Sequence, residues 1–259
     1  MSDMNPEVIT SRDNPLVKRL RALASDPAAY RKTGEVWLEG DHLCSALLAR
    51  GQLPRAVVLA QSQLGRDWGW TLPAGVRRIV LADALMAQIS ALESPAGVGF
   101  LHALPQQVGV RPGVAAVVLD RLQDPGNVGS ILRSAAAFGF GQVLALKGTA
   151  ALWSLKVLRA GMGAHFGLNL VEGLAIADLD ALGLPLLGTS SHQGEWLHRA
   201  RLPWPCAWMM GHEGQGVGEA LLARADMTLR IAQPGGEESL NVAAAAAVCL
   251  HASAAARSG

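Results

Sequence analysis

The chain has 259 residues, half of them hydrophobic and 17% charged. That length fits one large domain or two modest ones, and that composition excludes a disordered chain. Lys and Arg number 22 against 21 Asp and Glu, a net charge of +1, so no global field marks a nucleic-acid binder. Any such role must rest on local patches.

The N-terminal stretch MSDMNPEVITSRDNP has no apolar core, so no signal peptide is expected. No run of about 18 apolar residues predicts a membrane span. A basic segment follows: Arg12, Lys18, Arg19, Arg21, Arg31 and Lys32 are opposed only by Asp13 and Asp26. Leu16, Leu20 and Leu23 give residues 14–24 a helical period. Short apolar runs at 36–38, 56–60, 78–81 and 98–101 predict strands. Between them, helices are expected at 41–49 and 83–92, with Asp41 and Asp83 as N-caps. These elements form a small α/β domain over residues 1–104.

The stretch LPQQVGVRPG has no helical period and carries two Pro, two Gln and two Gly, so residues 105–113 are expected as a linker. From residue 114 to 259 the alternation is stricter. Apolar strands are expected at 114–119, 142–146, 166–171, 185–187, 206–210 and 227–231. Helices are expected at 127–137, 152–162, 176–182, 217–223 and about 240–256. That alternation predicts a parallel sheet with helices on both faces. Ligands of such sheets sit at the carboxyl ends of strands, which directs attention to three loops.

The first loop is DRLQDPGNVGSILRSAAAFG, residues 120–139. A helix is expected to begin near Asn127. Arg133 lies six residues on, and the two are expected on roughly the same side. An Arg among Ile, Leu and Ala on a sheet-packed helix is costly to bury without an anion; otherwise it reaches solvent.

The second loop, after Trp208, is GHEGQGVG, residues 211–218, with four glycines in eight residues. Such density means close backbone approach. Gly214, Gly216 and Gly218 make GxGxG, but only 41 residues follow Gly218, too few for a second nucleotide-binding half. His212-Glu213 opens like HExxH, yet Gly216 stands where the second His would be, so no metal is expected.

The third loop is IAQPGGEESLNVAAAA, residues 231–246. Ser239 is expected to cap the last helix. Asn241, just inside it, is poor helix chemistry unless it points into a site. Cys44, Cys206 and Cys249 are far apart and odd in number. They suit a reducing cytosol and small buried hydrophobes rather than a disulfide framework.

Taken together, DPGNVGSILRSAAAFG, MGHEGQG and ESLNVAAAAA resemble, in order, the three motifs of the SpoU, or TrmH, family of RNA ribose 2′-O-methyltransferases within the SPOUT superfamily. ITSRDNPLVKRLRAL and VWLEGDHL more loosely resemble that family's small RNA-binding domain. The resemblance implies a deep trefoil knot, a homodimer and S-adenosylmethionine as cofactor. Gly211, Gly214, Gly216, Ile231, Gln233 and Leu240 fall on the cofactor contacts. Asn127, Arg133, Glu213, Ser239 and Asn241 fall on the functional polar positions. His212, Gln233 and Gly161 depart from the residues common there. The implied reaction moves a methyl group onto a ribose 2′-hydroxyl of RNA, ribosomal RNA ahead of transfer RNA. Arginine stays protonated in proteins, so Arg133 is read as holding a phosphate and the hydroxyl rather than as a base. Ser239 and Asn241 would orient the hydroxyl, and Glu213 would fix the second loop or Arg133. The rival in another class is a catalytically silent RNA-binding assembly factor of the same fold. Phe138, Phe140 and the Ala-rich last helix are the apolar material offered for a dimer contact.

Overall fold

A computed structural model of the chain describes residues 7–90, 94–106, 109–190, 193–235 and 239–257. The chain divides into two compact units. The first comprises residues 1–105 and 153–166, the second residues 106–152 and 167–259. Residues 153–166 thus lie within the stretch expected for the second domain but cluster with the first.

In chain order the strands are β1 (Glu7–Ile9), β2 (Glu35–Glu39), β3 (Ala56–Ala60), β4 (Arg77–Leu81), β5 (Val98–Ala103), β6 (Ala116–Leu119), β7 (Gln142–Leu146), β8 (Asn169–Leu174), β9 (Leu186–Thr189), β10 (Glu195–Trp196), β11 (Ala207–Met210) and β12 (Met227–Arg230). The helices are α1 (Pro15–Ser25), α2 (Ala29–Thr33), α3 (Asp41–Ala49), α4 (Asp83–Ile89), α5 (Pro125–Ala137), α6 (Leu155–Gly161), α7 (Glu219–Leu222) and α8 (Val242–Ala255). Residues 176–182 wind as a 3₁₀ segment rather than the expected α-helix.

The first unit holds a mixed five-stranded sheet, β1-β4-β3-β5-β2, with β5 antiparallel to β2 and β3. Asn14 caps α1 by accepting the Leu16 N–H at 2.8 Å, and Leu16, Val17, Leu20 and Leu23 form its buried face. The expected caps Asp41 and Asp83 are instead the first helical residues, behind Gly40 and Ala82. A carboxylate there still meets the positive end of the helix dipole. Asp83 also accepts from Ser62 N at 3.1 Å and Ser62 Oγ at 2.7 Å, which holds its carboxyl below the ordinary range. Part of the basic segment is engaged within the fold: Lys18, Arg19 and Arg21 have partners there. Arg19 and Arg55 both pair with the buried Glu35 at 2.9 Å, Lys18 pairs with Asp13, and Arg21 donates to Gln88.

The second unit holds seven parallel strands ordered β10-β12-β9-β11-β6-β7-β8. Every residue of β6, β7 and β11 is buried, as expected for a sheet covered on both faces. The buried Gln142 amide donates to Arg111 O and Val114 O and accepts from Arg111 N, pinning the chain that leads into β6. Trp208 Nε1 donates to Ser253 Oγ at 2.9 Å in the core, tying α8 to β11. Cys44, Cys206 and Cys249 are buried and unpaired. Burial pushes the Cys206 thiol up to about 11 and Cys249 up to about 12, so neither is a nucleophile near neutral pH. No described helix is long and apolar enough to cross a membrane.

Candidate functional site

Because the second sheet is all parallel, the carboxyl ends of β6, β11 and β12 share one edge, and the three loops leave from it. Asp124 caps α5 by accepting the Asn127 N–H at 2.7 Å, and Pro125 takes the first helical position, where its missing N–H costs nothing. The helix therefore starts two residues before Asn127. Ile131, Leu132 and Ala135 supply its buried face.

The second loop folds back on itself. Gly216 N–H donates to His212 O at 2.8 Å, and Gly214 N–H to His212 Nδ1 at 3.0 Å. A Cβ on Gly211 would lie 2.0 Å from the backbone of Gly216 and Val217, so only glycine allows the closure. Gly216 itself has φ +69°.

From this loop Glu213 reaches the first. Its carboxylate accepts from Gln123 N at 3.2 Å, Asp124 N at 3.0 Å and Asn127 Nδ2 at 3.3 Å. Partial burial would raise the Glu213 pKa, but these donors outweigh it and hold the carboxyl below its ordinary range. Asn127 Oδ1 in turn accepts from Asn241 Nδ2 at 3.0 Å. Asn241 Oδ1 accepts the N–H groups of Ala243 and Ala244 at 2.9 and 3.2 Å. Asn241, not Ser239, is thus the N-cap of α8. Its side chain is doubly used, once for the helix end and once for the first loop. One relay, Glu213–Asn127–Asn241, joins all three loops across 114 sequence positions.

Beside the relay lies an open cavity of about 740 Å³. All six residues expected to hold the cofactor line it: Gly211, Gly214, Gly216, Ile231, Gln233 and Leu240. Glu213 and Ser239 line it too. Thr189, Ser190, Leu222, Leu229, Val242 and Ala245 also line it, and sequence reasoning missed them. The end of β9 as a parallel strand was the signal for Thr189 and Ser190. Asn127 and Asn241 are tied to the wall through Glu213.

Arg133 is placed differently from expectation. It is exposed, and no described residue gives it a hydrogen bond or ion pair. At 100° per residue, six steps set it about 120° from Asn127 around the helix rather than on the same side. The burial argument therefore does not apply, and Glu213 serves the loops rather than Arg133. Phe140 is buried in the chain's own core, edge-on to Trp204, and Phe138 stands edge-on to His251. Phe140 is thus not available to a partner. No group of three potential metal ligands occurs among the described residues.

Fold and site define a parallel α/β protein with a glycine-lined ligand cavity at the carboxyl edge of its sheet. The model of the SpoU rRNA Methylase family matches residues 115–251, and the chain belongs to that family. It is 30% identical over 224 residues to the 23S rRNA (guanosine(2553)-2′-O)-methyltransferase RlmP of Bacillus subtilis, covering 85% of this chain and 88% of that one. It is 32% identical over 264 residues to slr1673 of Synechocystis sp., described as an uncharacterized tRNA/rRNA methyltransferase, covering 94% and 92%. Among solved structures, an AdoMet-bound rRNA methyltransferase from Sinorhizobium meliloti superposes with TM-score 0.80 at 26% identity, covering 97% of each chain.

Proposed function

We propose that this protein transfers a methyl group from S-adenosylmethionine to a ribose 2′-hydroxyl of ribosomal RNA. The observation that carries the reading is the convergence of the second and third loops on one cavity, with the first loop tied to its wall by Glu213. The cavity chemistry fits the cofactor. Leu229, Ile231, Leu240 and Val242 offer apolar surface for a flat base, and the glycines of residues 211–216 bring backbone polar groups to the same space. Gln233, whose Oε1 is buried without a hydrogen-bond partner among the described residues, stands in that wall. When bound, the cofactor supplies an electrophilic methyl group on a positive sulfur.

The chain's own residues do the rest. Glu213, Asn127 and Asn241 keep the three loops in one arrangement. Ser239, exposed at the cavity, can donate to or accept from a ribose hydroxyl. Arg133, with no partner inside the described protein, presents a free guanidinium for an RNA phosphate, a planar fork suited to that anion. The hydroxyl proton then leaves to water, late in the transfer. The strand order supports the knot that the family resemblance implies. β11 inserts between β6 and β9, and β12 then lies outside β9. A homodimer is part of the same reading. On α8, Ala244, Val248 and His251 share one exposed face, and Val248 keeps 42% of its surface exposed.

The test is methyl transfer from radiolabelled cofactor to total RNA, followed by mapping of the modified ribose. Label confined to a 2′-O-methyl nucleotide of ribosomal RNA is expected. Label on transfer RNA would move the substrate class, and no label on any RNA would favour the silent assembly factor.

A further inference from the structure

The loops described above leave one polar cluster at this edge of the sheet unexplained. Asp120 follows β6 and keeps only 5% of its surface exposed. Its carboxylate accepts from Arg121 Nε at 2.9 Å, from Arg121 Nη2 at 3.0 Å and from the Gly218 N–H at 2.8 Å. Burial alone would raise its pKa. The Arg121 and Gly218 hydrogen bonds and the nearby charges outweigh that and hold the carboxyl below its ordinary range.

Arg121 Nη1 donates in turn to Gln215 Oε1 at 3.2 Å. One guanidinium therefore joins a buried carboxylate behind the second loop to a side chain near its tip. The fit is close: a Cβ on Gly218 would lie 2.9 Å from Arg121 Nη2. The backbone of Arg121 is left-handed, with φ +58°, which is unfavourable for a residue with a Cβ. It is held there from the other side. The Arg121 N–H donates to Thr149 Oγ1 at 3.1 Å, and that hydroxyl donates to Leu119 O at 3.0 Å. Strain of this kind persists where the surroundings over-determine it, and it clusters at ligand clamps.

We propose that Arg121 is a positioning residue that latches residues 211–218, through Asp120 and Gln215, in the shape that receives the cofactor. The proposal rests on the reading of the cavity as the cofactor site. A loop already held in its bound shape loses less freedom on binding, so the latch acts on cofactor affinity and not on RNA capture.

Two variants separate the fork from the backbone. Arg121→Gly removes the guanidinium and tolerates the left-handed conformation. Arg121→Lys keeps a charge without the planar fork. Amide exchange of Gly216 and Gly218 is followed in protein without cofactor. Affinity for S-adenosylhomocysteine is measured by calorimetry, and KM for RNA and kcat are measured at saturating cofactor. Arg121→Gly is expected to speed exchange at Gly218 and weaken affinity about tenfold, or ~1.4 kcal/mol. Arg121→Lys should recover part of both, with KM for RNA and kcat close to wild type. Unchanged affinity in Arg121→Gly overturns the latch even if the melting temperature falls. So does a defect confined to KM for RNA, which would make Arg121 an RNA contact. Wild-type protein that binds no S-adenosylhomocysteine overturns the cofactor reading, and the proposal with it. Wild-type binding matched by the variant overturns the latch alone.

Discussion

Both units are α/β sheets, yet they treat their charged residues in opposite ways. In the first, β5 runs against β2 and β3, and the buried Glu35 collects Arg19 and Arg55 into a structural cluster. In the second, all strands run one way, so three strand ends deliver Asn127, Glu213 and Asn241 to one edge. There the polar groups tie loops together around a cavity, and Arg133 is left without a partner among the described residues. A parallel sheet gathers chemistry at one edge because all its carboxyl ends lie there. A mixed sheet of similar size divides its loops between two edges, and its charges serve packing.

The largest expected effect tests that contrast at Arg133. Its side chain meets no described polar group, so Arg133→Ala should leave stability within about 0.5 kcal/mol. Cofactor affinity should be nearly intact. Methyl transfer at saturating cofactor and RNA should fall by orders of magnitude, since correct placement of reacting groups can supply about 7–11 kcal/mol of a barrier. Lys should rescue poorly. A single-turnover rate near wild type would remove Arg133 from the chemistry and leave the first loop to act through its contacts with the other loops.

Next in size is Gly214→Val. A Cβ at this position meets nothing nearer than the His212 ring at 3.8 Å, so the fold should accept it. The added methyl groups would enter the cavity instead. Calorimetry should find cofactor binding abolished while the melting temperature holds. Unchanged affinity would move the cofactor elsewhere.

Much of this contrast was legible in the sequence, and the parts that were not have physical reasons. Apolar runs ending in Gly-rich or Asn-bearing loops placed the cavity, and its six expected cofactor residues do meet there. The relay was not legible, because a hydrogen bond between positions 127 and 241 leaves no local pattern. Asp41 and Asp83 lie one residue inside their helices because an acidic residue suits both the cap and the first turn. Strand β10 was missed because it is two residues long, and β1 because three residues carry no period. Six residues are nearly two turns, but the shortfall of about 120° takes Arg133 away from the side of Asn127, and Ile131, Leu132 and Ala135 mark the buried face.

Glu213 sharpens the contrast through pH. Its carboxyl is held below an ordinary value of 4.5 by the N–H groups of the first loop. A carboxyl depressed on folding contributes stability that is present above its unfolded value and is lost as pH falls through its folded one. The join between the first two loops should therefore persist at neutral pH and loosen only below about pH 4.5. Glu213→Gln removes the charge but keeps an acceptor. It should lower kcat/KM about tenfold near pH 7, or ~1.4 kcal/mol, and the residual low-pH loss of loop order should disappear. Amide exchange at Asp124 and Gln123 between pH 3 and 7 is the readout. A variant with the wild-type exchange profile would show that the carboxylate does not hold the loops.

The smallest effect belongs to the first unit. Counterion release lowers the salt slope of RNA binding by up to about one unit for each phosphate that a variant no longer neutralises. The double change Lys18→Ala with Arg19→Ala would therefore cost about two units if both cations served RNA alone. The structure argues for less. Arg19 is bound to Glu35 at 2.9 Å and cannot give its whole charge to a phosphate without leaving that buried carboxylate to Arg55 alone. Among the described residues Lys18 pairs with Asp13, and both are largely exposed, so that pair is worth little and yields readily to a phosphate. The expected drop is thus about one unit, contributed by Lys18, together with a modest loss of stability from Arg19. Filter binding of ribosomal RNA between low and moderate salt measures the first, and thermal denaturation measures the second. A slope equal to wild type would confine this helix to packing. A drop of two units would mean that Arg19 leaves Glu35 when RNA arrives, and that charges in the first unit are shared between fold and ligand after all.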